Sequence, residues 1–503
     1  MHVESILGPR QYEQPSIGVF GCGLAAYWPQ FPGLLERLLE YQRLFEERVT
    51  DLGAEVTSGG LVDTPTAGRD LGDRFQRQGV DMLFCYMSTY TTSANVVPVA
   101  QRAGVPMVII SLQPHAAMDY ARASTFMQLE HDNQTSLPEV CNALERAGLP
   151  LAGLVVGTLH DDAHAWSRID GWVKVARAYA AVRDARLGLM GHVYEGMLDM
   201  NADPTRLEGV FGLHCQHLEL DDLQVRVDAV TESEVKGKLE QIHALFDMPE
   251  PGSDPIAGPA KPEDLTYSAR VACGLDRLVG EFGLTGLAYY YRGLDGNANE
   301  RLGCSLIVGA SLLTGRGIPI AGEWDIKNCV AMLIVDRLQA GGSFCELHPC
   351  DFSNDFVLVG HDGPHHIGVA QGKPVLRGLS ILHGKRGAGV SVEFSLRHGP
   401  ITCVALAETL GGHLKFITAE GESLPGPIPA TGNTNTRGRF PPDVGTFVEN
   451  WSLEGPTHHF ALGVGHTAGL VEQFSRCYDV HHVCVTEPGH RRGSIGSGRR
   501  SRG

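Results

Sequence analysis

Between residues 16 and 158, short apolar runs of strand length alternate with longer segments whose apolar residues recur at helical spacing. This rhythm constrains the fold more than any other feature of the chain. Strands are expected at 16–20, 54–62, 81–87, 105–112 and 151–158. Helices are expected at 33–49, 66–78, 93–102 and 137–146. In 33–49, Leu34, Leu35, Leu38, Leu39, Leu44 and Phe45 fall on one helical stripe. Strand, helix and strand in repetition give a parallel sheet covered by helices. The spacing predicts that this first domain closes near residue 182.

The middle of the chain continues as α/β. Strands are expected at 187–194, 210–215 and 287–291, and helices at 233–246, 268–282, 299–313 and 325–338. A Pro/Gly-rich surface loop spans 249–262. After about residue 343 the character changes. Short runs at 356–359, 375–382, 390–397, 401–407 and 413–418, with turn residues between them, predict a mostly antiparallel, barrel-like β domain. A helix at 467–478 and a strand at 481–485 follow. The expected fold class is therefore two Rossmann-like α/β domains (1–182 and 183–342) and a C-terminal β domain (343–489). The Arg/Gly/Ser-rich segment 490–503 reads as a disordered basic tail. A chain of 503 residues with 43% hydrophobic residues has enough apolar surface for several cores.

Composition narrows the function. A formal charge of −17 repels phosphate backbones and anionic lipid heads, so neither nucleic acid nor membrane is an expected partner. A neutral small molecule is not repelled. Twelve scattered cysteines without a CxxC suit reduced, buried thiols. The start lacks an apolar leader and no apolar run is long enough for a bilayer span, so the expected location is cytoplasmic. Gly21-x-Gly23-x-x-Ala26 has the form of a dinucleotide fingerprint, but Pro29 and Pro32 delay the helix. The acid ending the next strand, Asp63, stands about twice too far on for a ribose contact. The segment reads instead as a turn that places Tyr27 and Trp28 at the C-terminal edge of the sheet. No phosphate-binding P-loop, GxSxG or HExxH motif is present.

A second cluster is richer in chemistry. Gly322-Glu323-Trp324-Asp325-Ile326-Lys327 follows an apolar run and opens a helix, and Gly341 to Glu346 follows that helix. Residues 357–361 end in His361, and Gly463-Val464-Gly465-His466-Thr467 precedes the last helix. Each acid or imidazole stands at the end of an element beside small residues. Two carboxylates and two imidazoles make an oxygen/nitrogen donor set suited to Mn²⁺, Co²⁺, Fe²⁺ or Mg²⁺. His365, His366, His458 and His459 are rival imidazoles that spacing alone leaves open.

At these residues the chain resembles the L-arabinose isomerase family. Gly322-Glu323-x-Asp325-x-Lys327 is similar to that family's Gly-Glu-x-Asp-x-Lys segment. Gly341 to Glu346 resembles its Gly-Gly-Thr-Ser-Phe-x-Glu segment, shortened by one. Leu358-Val359-Gly360 and Gly465-His466-Thr467 resemble the segments with its third and fourth ligands, and Asn133-Gln134-Thr135 and 157–162 extend the likeness. The resemblance implies a divalent metal, often Mn²⁺, held by Glu323, Glu346, His361 and His466. It also implies trimers paired into hexamers, with active sites at subunit boundaries, and interconversion of an aldose and its 2-ketose. The family's Gln-His-Leu-Tyr-Gly run is replaced by Leu24 to Pro29, and the stretch after its second glutamate becomes Leu347-His348-Pro349-Cys350. Both are places expected to touch the sugar.

The expected activity is conversion of L-arabinose to L-ribulose through a cis-enediol, with Glu323 and Glu346 as the acid–base pair. Which of the two is the carbon base stays open. Tyr27, Trp28 and Gln134 are the expected sugar contacts. Lys327, one helical turn beyond Glu323, is a further one or orients that glutamate. The alternatives are an isomerase of a related sugar, such as L-fucose or D-arabinose, and a non-catalytic sugar-binding or sensor protein.

Overall fold

The computed structural model describes residues 7, 12–149, 151–250, 252, 254, 256–292, 299–379 and 389–489. The expected tail 490–503 lies outside the described residues, as do parts of the expected 249–262 loop and 375–382 strand. Two compact units make up the chain, one holding Tyr12–Ala180 with Gln473–Asp479 and the other built around Ala181–Glu472.

The first unit contains β1 (Ser16–Cys22), β2 (Glu55–Val62), β3 (Met82–Met87), β4 (Met107–Gln113) and β5 (Leu151–Thr158). They form one parallel sheet in the order β2-β1-β3-β4-β5. Every residue of β3 is buried, as expected of a strand covered on both faces. The helix Leu34–Asp51 buries Leu34, Leu38, Tyr41, Gln42, Phe45 and Val49, while Leu44, expected on the same stripe, faces solvent. The strand order reverses between β1 and β3, which opens a crevice beyond their carboxyl ends. Polar side chains tie that edge together. Thr91 and Asn95 donate to the Gly23 carbonyl, and Asn133 donates to the carbonyls of Met87 and Ser88.

The second unit begins with a smaller parallel sheet of β6 (Arg186–Met190), β7 (His214–Leu218), β8 (Gly286–Tyr289) and β9 (Ile320–Ala321), in the order β7-β6-β8-β9. Here the sequence reading needs two corrections. The strand expected to reach residue 194 stops at Met190, where Gly191 turns the chain with φ +82°. The strand expected at 210–215 is divided between a helix, Pro204–Phe211, and β7. Asp203 caps that helix, Pro204 takes its first position and Gly212 stops it in the left-handed region.

The helix Ile326–Arg337 links this sheet to the β domain. It is buried from Ile326 to Asp336 and packs against β8 and β9, so most of its surface is apolar, with Lys327, Asn328 and Asp336 as buried polar exceptions. It passes directly into β10 (Gly341–Asp351). There Gly342 has φ +110°, and a Cβ would stand 2.8 Å from the Met332 carbonyl oxygen, so only glycine fits the turn.

Beyond β10 come β11 (Phe356–His361), a two-stranded ribbon of β12 (Val375–Gly378) and β13 (Val390–Glu393), then β14 (Gly399–Glu408), β15 (Leu414–Leu424), β16 (Thr434–Arg439), β17 (Phe460–Val464) and β18 (His481–Cys484). Six of them close a ring, β14-β17-β10-β11-β16-β15 and back to β14, all antiparallel. Closure leaves no free edge within the ring. Strands β10, β16 and β17 and the helix Val444–Leu453 were not anticipated. Thr434–Arg439 has no apolar alternation, and its extended form comes from pairing with β11 and β15. All twelve cysteines are free and nine are buried. Among the described residues no helix is long and apolar enough to cross a membrane.

Candidate active site

A cavity of about 360 Å³ lies where the carboxyl ends of β6 and β8 meet β10 and β11. Its wall includes Glu323, Glu346, His348 and His361, with Tyr194, Tyr289, Tyr290 and Tyr291.

Glu323 reaches this cavity from the turn between β9 and the buried helix. Glu323 and Trp324 both have positive φ, +56° and +66°. Consecutive non-glycine residues in that region are strained by roughly 1–3 kcal/mol each and persist only where the surroundings hold them. Trp324 N–H donates to the Tyr289 carbonyl at 2.8 Å, and Asp325 caps the helix through the Asn328 N–H at 3.0 Å. These bonds fix the turn and direct the Glu323 carboxylate inward.

Asp325 does a second job. Its side chain is fully buried, and its Oδ2 lies 3.2 Å from Nδ1 of His459, which is equally buried. An Nδ1–H donated to a carboxylate leaves Nε2 as the lone-pair nitrogen. That nitrogen stands 3.5 Å from Glu323 Oε2, and both atoms are buried without a hydrogen-bond partner. Burial holds the His459 pKa below its ordinary value, against the pull of Asp325, so the imidazole is neutral.

Glu346 on β10 pairs with Gly360, which sets its carboxylate beside His361 at the end of β11. His361 Nε2 is 3.9 Å from Glu346 Oε1, and its Nδ1 is 3.2 Å from Asp362 Oδ1. Burial opposes charge on this ring, but Asp362 and the carboxylates of Glu346 and Glu323 outweigh it and raise its pKa. Phe344 packs against both imidazoles, with ring centres 4.7 Å from His361 and 4.4 Å from His459. Ligand atoms of Glu346, His361 and His459 lie within 4.8 Å of one another, as do those of Glu323, His458 and His459. An oxygen/nitrogen set with orphaned, buried atoms fits a hard or borderline divalent cation.

The other histidines sort themselves by partner. His365 donates Nε2–H to the His361 carbonyl at 3.0 Å and meets the Ser343 hydroxyl at Nδ1, and burial pushes its pKa down to about 3. His366 lies 3.3 Å from Asp336. His458 is held by Asp199 at 2.7 Å and packs over His459.

Two expected residues are placed elsewhere. His466 is not in the cluster. It follows β17, whereas His459 precedes it, and at about 3.3 Å per residue a five-residue strand sets its ends roughly 15 Å apart. The His466 ring is half exposed, bonds the Gly421 carbonyl at 3.1 Å and lines a separate groove with Glu420 and Glu472. Lys327 does not reach Glu323. Its buried ammonium donates to the carbonyls of Asp199 and Asn201 at 2.8 and 2.7 Å, and burial lowers its pKa. Tyr27, Trp28 and Gln134 belong to the first unit. Trp28 Nε1–H donates to Asp63 at 2.8 Å and meets Tyr27 edge to face, while Gln134 is half-buried beside Asn133. The signal for His459 was a His-His pair just before the apolar run 460–464. For Asp325 it was the cap position of a buried helix.

Two parallel α/β sheets, a closed six-stranded barrel and an acid–imidazole cluster beside the barrel define the structural class. Residues 341–481 match the family model described as the L-arabinose isomerase C-terminal domain. An L-arabinose isomerase of Nocardioides sp. is 24% identical over 423 residues, covering 82% of each chain. One of Aeromonas salmonicida is 23% identical over 439 residues, covering 86% of this chain and 85% of its own. L-arabinose isomerase 1 of Bacillus licheniformis is 24% identical over 347 residues, covering 68% and 67%. The chain is thus similar to L-arabinose isomerases over most of its length, at an identity that marks it as divergent from them.

Proposed function

We propose that this protein is a metal-dependent aldose–ketose isomerase acting on a free sugar of the L-arabinose type. The observation that carries the reading is the facing pair of orphaned, buried atoms, Glu323 Oε2 and His459 Nε2, beside Glu346 and His361. Glu323, Glu346, His361 and His459 would hold the cation, with His459 taking the place first assigned to His466. Mn²⁺ is the first choice of metal, with Co²⁺, Fe²⁺ and Mg²⁺ as the others. When bound, such an ion supplies Lewis-acid stabilisation of the negative charge that develops on the sugar oxygens.

The chain's own residues move the protons. One glutamate takes the proton from C2 of the aldose, the C1–C2 enediol forms, and the same group returns the proton to C1. The other carboxylate passes a proton from the C2 hydroxyl to the carbonyl oxygen, so atoms and charge balance. Asp325 fixes the His459 tautomer, and the strained turn at Glu323 and Trp324 holds the carboxylate in place. Tyr27, Trp28 and Gln134 contact the sugar of a neighbouring copy in a homo-oligomer.

The test is direct. The chelated protein should convert no pentose, and Mn²⁺ should restore ketose formation in proportion to metal bound. Full activity in a verified metal-free sample would sink the reading.

A further inference from the structure

We infer that His348 recognises the substrate, its Nε2 hydrogen-bonding one hydroxyl of the sugar beside Glu346. This rests on the isomerase reading of the same cavity.

His348 stands two residues beyond Glu346 on β10, and residues two apart on a strand share a face. The pairing of β10 with β11 shifts register between Leu347 and Cys350, and such bulges re-aim side chains next to active sites. The result is visible in the cavity wall, which contains both Glu346 and His348. The His348 side chain is only 20% exposed, and its Nε2 is fully buried without a hydrogen-bond partner. The closest acid, Glu346 Oε1, is 3.9 Å away, too far for a hydrogen bond and wide enough for one hydroxyl to bridge the two. Neither group of mutually close ligand atoms includes His348, so its free nitrogen is left for the sugar.

The rest of the wall says what kind of molecule enters. Its described residues include Glu300, Glu323, Glu346 and Asp362 and no lysine or arginine. A phosphorylated sugar would find no lysine or arginine there to pair with its phosphate, whereas a neutral polyol needs none. Tyr194 and Tyr290, with ring centres 5.5 Å apart, offer aromatic faces on the same wall for the C–H side of the sugar.

The experiment compares the Mn²⁺-loaded full chain with His348→Phe, which keeps a ring but removes both nitrogens. His348→Gln is the second variant and returns a polar group. Each is assayed on L-arabinose, its epimers and its monodeoxy analogues. Pentitol binding and Mn²⁺ content are measured alongside. His348→Phe should lower kcat/KM about 10- to 100-fold, the effect of one lost hydrogen bond to a buried partner. It should weaken pentitol binding while Mn²⁺ content holds. For one deoxy analogue the variant and wild type should agree within about threefold, identifying the hydroxyl, and His348→Gln should recover part of the loss. Wild-type kcat/KM for every sugar in His348→Phe overturns the inference, as does an equal loss for every analogue with falling Mn²⁺ content. A wild-type chain that isomerises none of these sugars overturns the isomerase reading instead. Should His348→Phe fail to fold, His348→Leu, which also removes both nitrogens, with unchanged pentitol affinity would overturn the inference.

Discussion

The two ends of strand β17 carry one histidine each, and they could hardly be more different. His459, before the strand, is completely buried, is oriented by a buried carboxylate and presents a nitrogen with no partner. His466, after the strand, is 53% exposed, and its Nε2 already meets a backbone carbonyl. By sequence His466 looked better placed, between glycines and a helix start. The difference teaches that a ligand is recognised by an unmet bonding requirement. Leaving a buried nitrogen without a partner costs about 1–3 kcal/mol. A fold that keeps one between two carboxylates has a use for it.

The carboxylates beside His459 should give the largest effect. Glu323→Gln and Glu346→Gln keep shape and an oxygen but lose the base. Each should lower kcat by about 10²–10⁴-fold, as loss of a general acid or base does. Metal content is to be measured in every sample. Near-native kcat in both metal-loaded variants would end the proton-transfer proposal.

The comparison itself is broken or kept by the histidines. His459→Asn should weaken Mn²⁺ affinity by about 100-fold or more, since even outer-shell partners cost 10- to 100-fold. His466→Asn should leave it within about twofold, as exposed substitutions usually stay within 0.5 kcal/mol. Titration calorimetry with a denaturation control separates lost binding from lost folding. The opposite ranking would return the fourth ligand to His466.

The same contrast shows what the sequence could reveal. The first sheet was legible because strands such as Met82–Met87 are apolar throughout and the intervening helices carry a 3.6-residue stripe. Glu323, Glu346 and His361 stand out in the sequence because each belongs to a glycine-containing run, Gly322-Glu323, Gly341 to Glu346 and Gly360-His361, although Glu346 lies within β10 and not at its end. The fourth position does not, because nothing in the short run Phe460–Val464 marks it as a strand ahead of the last helix. Its strand form depends on pairing with β10 and β14, more than 50 residues away in each case. Once that strand is missed, the histidines at its two ends cannot be told apart. Lys327 failed for a related reason. Helical spacing placed it near Glu323, but the carbonyls that hold it come from residues 199 and 201, remote in sequence.

The smallest expected effect belongs to Trp28, which sharpens the comparison from the other side. Unlike His459, its polar atom is satisfied, because the indole N–H is bonded to Asp63. Only the ring face remains to act on a ligand. An aromatic contact is worth about 0.5–1.5 kcal/mol beyond its buried area. Trp28→Ala should therefore raise KM by roughly 2- to 12-fold with kcat nearly unchanged. Trp28→Phe keeps a ring but releases Asp63, so it separates stacking from anchoring. If stacking matters, Phe restores most of the affinity. If the bond to Asp63 matters, Phe behaves like Ala and Asp63→Ala, which removes the acceptor, reproduces both. Wild-type KM in Trp28→Ala for every pentose and 6-deoxyhexose tested would make Trp28 a packed turn and remove it from the sugar site.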